Sequence, residues 1–185
     1  AVFTPSANLA SGNASITVTV NSYQDAAGNN GIDGVSSNLS LDTLAPSIAS
    51  LALSSATGAL ASPLDATVKL LNTADTLSAT VTFNEVVTLN TSAGSPTLAL
   101  MIGSSTVQAT YVSGSGTSAL VFSTTIASGQ TDIDGVAIAV NALSLNGATL
   151  KDNAYNTGVI SSVAVANNPL YLVDTTAPNV SITSD

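Results

Sequence analysis

Eleven carboxylates face only two basic side chains in this 185-residue chain, and that imbalance decides which chemistry is open to it. Among the acids a single glutamate, Glu85, stands out; the bases are Lys69 and Lys151, with no arginine and no histidine, for a net charge of −9. Cysteine is absent too, which excludes disulfides, thiolate zinc sites and thiol nucleophiles. Without histidine there is no imidazole base and no Ser-His-Asp triad. Two lysines cannot neutralise a phosphate backbone, so nucleic acid is ruled out as a partner. Gly-rich phosphate loops, nucleophile elbows and metalloprotease helices do not occur. The reading is of a protein that is not an enzyme. What remains for oxygen-rich side chains is a hard divalent cation, since Ca²⁺ takes about six to eight oxygens from carboxylates, asparagines, carbonyls and water.

Such groups act only if the fold brings them together. With 45% hydrophobic and 7% charged residues and a mean hydropathy of +0.44, the chain lacks the low-hydrophobicity, high-charge signature of disorder. No apolar run approaches the roughly 18–20 residues of a membrane span, so no membrane insertion is expected. Residues 1–10 have neither a basic start nor an apolar stretch, so they are no signal peptide. With no initiator methionine either, the expectation is an internal piece of a longer polypeptide. Period-two alternation dominates: Ile16/Val18/Val20, Leu77/Ala79/Val81/Phe83, Leu98/Leu100/Ile102, Val107/Ala109/Tyr111, Leu120/Phe122/Ile126, Val136/Ile138/Val140 and Leu170/Leu172. Each run is bounded by Gly, Ser, Asn or Pro, the residues of turns. Ser113–Gly116 reads as a hairpin loop, and no window carries a helical stripe. The fold class predicted is all-β, an antiparallel β-sandwich.

The sequence repeats itself. Asp42-Thr43-Leu44-Ala45-Pro46 returns as Asp174-Thr175-Thr176-Ala177-Pro178, and Asp25-Ala26-Ala27-Gly28-Asn29-Asn30-Gly31 returns as Asp152-Asn153-Ala154-Tyr155-Asn156-Thr157-Gly158, in the pattern D-x-A-x-N-x-G. Ile16–Asn21 parallels Val136–Asn141, and Ala10-Ser11-Gly12 parallels Ala127-Ser128-Gly129. Four matches in one order indicate tandem related modules. Residues 1–43 are predicted to be the C-terminal part of one module, 44–175 a complete module, and 176–185 the start of a third.

The D-T-x-A-P linker, the D-A-A-G-N loop and the long stretch from Thr76 to Asn156 resemble the tandem bacterial Ig-like repeats of giant secreted adhesins of the RTX and biofilm type. The resemblance covers essentially the whole chain. It implies Ig-like β-sandwich modules in tandem, an extracellular place on a bacterial cell surface, neighbouring modules of the same polypeptide as partners, and Ca²⁺ near module junctions. The glycine-rich nonapeptide calcium repeats found at the ends of such adhesins are absent.

Strand alternation, taken without the resemblance, sorts the carboxylates into two sets. If the first strand of the complete module runs from Ser47 to Leu53, the strand Leu77–Phe83 returns and brings Glu85 back to the near pole, where the Asp42 linker enters. Val136–Val140 heads the same way, the loop holding Asp152 follows, and a final strand Val159–Val165 leads off toward Asp174. Asp42, Glu85 and Asp152 are therefore expected to converge at the near pole, and Asp75, Asp132, Asp134 and Asp174 at the far one. Asp25 is a further candidate in the preceding module. Converging carboxylates repel, and a divalent cation removes that cost. The same aspartates could instead form turns, Asp42 and Asp174 before Thr-x-Ala-Pro and Asp25 and Asp152 as Asx-turns. Residue chemistry leaves both open; the resemblance favours metal at the near junction. Asp132-Ile133-Asp134-Gly135 lacks the remaining ligands of an EF-hand and reads as a glycine turn.

Two functions follow. The first is a structural stalk segment of a cell-surface adhesin, rigidified by calcium; the alternative is a module that itself binds a glycan or surface. Tyr111, Tyr155 and Tyr171 are scattered in sequence and are read as core or edge residues rather than a sugar-stacking platform. Lys69 and Lys151 are read as solvated lysines rather than isopeptide crosslinks, and the N-x-[ST] tripeptides as products of composition.

Overall fold

The computed structural model describes residues 3–58, 60–61 and 65–182, and every regular element among them is a strand. The chain divides into two compact units, Ala1–Ala45 and Pro46–Asp185. No helix among the described residues is long and apolar enough to cross a membrane.

The first unit holds four short strands, β1 (Gly12–Ala14), β2 (Thr17–Val18), β3 (Gly34–Val35) and β4 (Leu39–Leu41). They form two antiparallel pairs, β1 with β4 and β2 with β3. The strand expected over Ile16–Val20 is thus reduced to two residues, and Ile16, Val18 and Val20 are exposed. Alternation alone cannot extend a strand that has only a two-residue partner to hydrogen-bond.

The second unit contains β5 (Ile48–Thr57), β6 (Leu60–Ala61), β7 (Lys69–Leu71), β8 (Thr76–Asn90), β9 (Thr97–Ile102) and β10 (Ser105–Ser113). It continues with β11 (Thr117–Thr125), β12 (Thr131–Asp132), β13 (Val136–Ser144), β14 (Thr149–Lys151), β15 (Val165–Asn168) and β16 (Tyr171–Asp174). An eight-stranded sheet runs β14-β8-β11-β10-β9-β13-β15, with β5 also paired to β8, and a four-stranded sheet runs β12-β16-β7-β6. The two sheets share one core, to which β7 and β16 contribute Leu71 and Val173 and the larger sheet Leu77, Val81, Leu98, Leu100, Leu120, Phe122 and Ile138. The architecture is all-β and β-sandwich-like, with largely antiparallel sheets. One pairing departs from this, because β16 lies parallel to β7. The hairpin expected at Ser113–Gly116 joins β10 to β11.

Two strand boundaries differ from the sequence expectation. The strand read as Leu77–Phe83 continues for fifteen residues, Thr76–Asn90. Its alternation persists through Val87 and Leu89, and only the carboxylate of Glu85 interrupts the apolar series. The last strand is not Val159–Val165: Val159 makes an isolated parallel bridge to Ser47, and the ladder strands are β15 and β16. Within 161–164 the one large apolar side chain, Val163, is exposed, so the segment holds no apolar side chain against a sheet.

Candidate metal centre

β8 positions Glu85 by parity. Side chains at Leu77, Ala79, Val81, Phe83, Val87 and Leu89 are buried on one face, and Glu85, half-buried, is the member of the same series between Phe83 and Val87. Successive strand residues alternate faces, so this glutamate takes a core-facing register position. It also sits where β8 changes partner. β5 pairs with β8 as far as Phe83, whereas β14 begins at Thr88. On the other side the β11 ladder shifts register between Thr82 and Val87.

Asp152 arrives from β14, one residue after Lys151 and two after the fully buried Leu150, and is only 4% exposed. A tight loop holds it. Its Oδ1 accepts the Asn156 N–H at 2.8 Å and its Oδ2 accepts Asn156 Nδ2 at 2.7 Å. The Asp152 N–H in turn donates to the Asn156 carbonyl, and Gly158 N–H to that of Leu150. Glu85 and Asp152 offer carboxylate oxygens within 4.8 Å of each other. Two oxygens on one Ca²⁺, each at about 2.3–2.6 Å, cannot lie more than about 5 Å apart, so this pair fits the ion. Both donors are hard oxygens, and two carboxylates this close, one of them buried, are opposed by repulsion and by desolvation of Asp152.

The start of the unit is tied to the same end. Ser47 N–H donates to Asn84 Oδ1 at 2.7 Å, Asn84 N–H donates back to the Ser47 carbonyl, and Val159 N–H donates to the Pro46 carbonyl at 2.7 Å. Asn84 precedes Glu85, and Val159 follows the Asp152 loop. Asp42 lies four residues before Pro46, a tether of at most about 14 Å. Its Oδ1 accepts the Leu44 N–H, as Asp174 Oδ1 accepts the Thr176 N–H. Both linker aspartates therefore form the same Asx-turn.

The duplicated loop is equally conformational. Asp25 Oδ1 accepts the Ala27 and Asn29 N–H groups, and its Oδ2 accepts Asn29 Nδ2 at 2.8 Å. The Asn29 side chain, with these backbone N–H groups behind it, holds the Asp25 carboxyl below its ordinary range. The i to i+4 pattern of Asp152 and Asn156 is the one of Asp25 and Asn29. The turn-forming role is thus shown for these aspartates, and the turn fixes where each carboxylate stands.

Each aspartate of the far set accepts hydrogen bonds of its own. Asp132 is 3% exposed and its two oxygens accept the N–H groups of Gly103 and Gly135, each at 2.8 Å. Gly135 has φ +106, and a Cβ there would meet the Asn168 carbonyl, so Asp132–Gly135 is a glycine turn. Asp134 accepts Asn167 Nδ2 at 2.6 Å, and Asp75 accepts the Asn72 N–H at 2.7 Å. Among the described residues no three of Asp75, Asp132, Asp134 and Asp174 bring carboxylate oxygens close enough to share an ion.

The tyrosines divide. Tyr111 packs edge-on against Phe122 at 5.8 Å and Tyr171 is half-buried, as core and edge residues do. Tyr155 does not: it is 79% exposed and lines an open groove with Thr88, Asn90, Thr149, Lys151, Asp152 and Asn153. The signal was present in the repeat, where Tyr155 replaces Gly28 of the other loop. Comparison of the chain with family models, with curated proteins and with solved structures gave no match in any of the three.

Proposed function

We propose that this chain is a structural stalk segment of a bacterial cell-surface adhesin, built from tandem Ig-like modules and stiffened by Ca²⁺ at the junction between them. The observation that carries the reading is the duplication of linker and loop. Asp42 and Asp174 make the same i to i+2 turn, and Asp25 and Asp152 hold Asn29 and Asn156 by the same bonds. A polypeptide that repeats both its connectors and the loops that precede them gains length by repetition, as array proteins do.

In this reading Asp42, Glu85 and Asp152 supply the junction ion, and asparagine oxygens, carbonyls and water complete the shell. The pairing of Glu85 with Asp152 supports it, as does the short tether from Asp42 to Pro46. Secreted calcium modules bind at roughly 10⁻⁴ to 10⁻³ M, within reach of extracellular calcium. The partners are the neighbouring modules of the same polypeptide, at the extracellular surface, and the distal ligand is bound elsewhere in the parent protein.

Small-angle X-ray scattering of the chain in Ca²⁺ and in EGTA tests this. A narrower distribution of interatomic distances in calcium, lost on Glu85→Gln, is the expected result. Superimposable curves in both buffers would remove the metal from the junction and leave a passive spacer.

A further inference from the structure

The loop that presents Tyr155 is built for glycine. In the first unit Gly28 takes the corresponding place with φ +85, its N–H bonded to the Asp25 carbonyl at 3.1 Å. Tyr155 repeats that geometry, with φ +69 and its N–H on the Asp152 carbonyl at 3.3 Å. A left-handed backbone suits glycine and strains a bulky aromatic. The tyrosine gains little packing in return, because most of its surface faces solvent. Strain held at an exposed aromatic, where the fold itself has an unstrained solution, marks a side chain kept for what it touches outside the protein.

Its surroundings define the ligand. The outward positions of the β8–β14 pair are Thr88, Asn90, Thr149 and Lys151, with Thr149 opposite Asn90 and Lys151 opposite Thr88. With Asp152, Asn153 and Tyr155 they line a groove of about 350 Å³, at the small end of the roughly 300–1,000 Å³ range of small-ligand clefts. Asn90 uses Oδ1 on the Ser92 N–H. The Lys151 ammonium lies 5.9 Å from the Tyr155 ring centroid, at the outer edge of cation–π range. Hydroxyl and amide groups beside one aromatic face suit a polyhydroxylated ring with an apolar side, and the net charge of −9 disfavours an anionic one.

We infer that this groove binds a neutral pyranoside of a cell-surface or matrix glycan, with Tyr155 stacked on the sugar and Asn90 and Asn153 on its hydroxyls. The site lies wholly within the second unit and does not rest on the stalk reading. Titration of the 185-residue chain with methyl β-D-galactopyranoside and with methyl α-D-mannopyranoside, followed by NMR, tests it. One of the two is expected to shift the Tyr155 ring and the Asn90 and Asn153 side-chain amides with a saturable curve. Tyr155→Gly, which the Gly28 loop shows to be compatible with the turn, is expected to weaken binding at least tenfold without lowering the melting temperature by more than a few degrees. Asn90→Ala provides a second variant away from the strained turn and is expected to weaken binding as well. No shift with either glycoside overturns the proposal, and so does equal binding by Tyr155→Gly. Concentration-dependent broadening in sugar-free buffer that Tyr155→Gly removes would also overturn it, assigning the groove to a second copy of the chain.

Discussion

Replacing Glu85 by glutamine has opposite consequences with and without calcium, and the opposition makes it a stringent test. The Glu85 and Asp152 oxygens lie within 4.8 Å of each other. At that separation two negative charges repel by about 1 kcal/mol in water and about 3.5 kcal/mol at an effective dielectric of about 20. Glutamine keeps the size and the oxygen but removes one charge from a core-facing position. In EGTA the variant is therefore expected to be more stable than the parent by about 1–3 kcal/mol. In calcium the order reverses. A site with a dissociation constant of about 10⁻³ to 10⁻⁴ M, in about 10 mM Ca²⁺, stabilises the folded state by about 1.4–2.7 kcal/mol. For a unit of this size that is a rise of roughly 3–10 °C, and the variant is expected to lose most of it. Differential scanning calorimetry of both proteins in both buffers reads all four values. The reasoning fails if calcium leaves the parent melt unchanged, if the variant gains as much as the parent, or if the variant melts lower in EGTA.

Three further outcomes follow from the packing and the loops. Phe122→Ala empties the centre of the core, where the ring is fully buried and touches Tyr111; a loss of about 3–5 kcal/mol is expected in urea unfolding. Asp132→Ala deprives the Gly103 and Gly135 N–H groups of their acceptor and is expected to cost about 2–4 kcal/mol, whereas an exposed aspartate such as Asp33 tolerates alanine within about 0.5 kcal/mol in the same assay. Asn29→Ala is expected to raise the Asp25 pKa toward its ordinary value in a carboxyl NMR titration. Because the folded-state pKa is lowered, this carboxylate stabilises the loop above the unfolded pKa, and the effect is lost as pH falls through the folded value. The variant should therefore show a shallower acid limb, and an unchanged titration would separate Asn29 from the shift.

The division between sequence and tertiary structure is clear at individual residues. Alternation alone located the central strands of the second unit, because a residue buried on one face of a sheet must be apolar at every second position. The duplicated linkers and loops were equally legible, since identical short spacings of Asp, Asn and Gly fold by local hydrogen bonds that need no distant partner. Glu85 stood out as the lone glutamate, two residues past a strand expected to end at Phe83. Only the sheet decided that β8 runs on through it, because partner exchange from β5 to β14 depends on where two distant strands end. The parallel pairing of β16 with β7 was invisible for the same reason. That no three of Asp75, Asp132, Asp134 and Asp174 bring their carboxylate oxygens together among the described residues is likewise a matter of long-range closure, since strand counting gives a direction but not a distance across the sandwich. Tyr155 shows the remaining gap: its spacing marked it as the substitute for a glycine, yet its exposure and its groove exist only once β8 and β14 lie side by side.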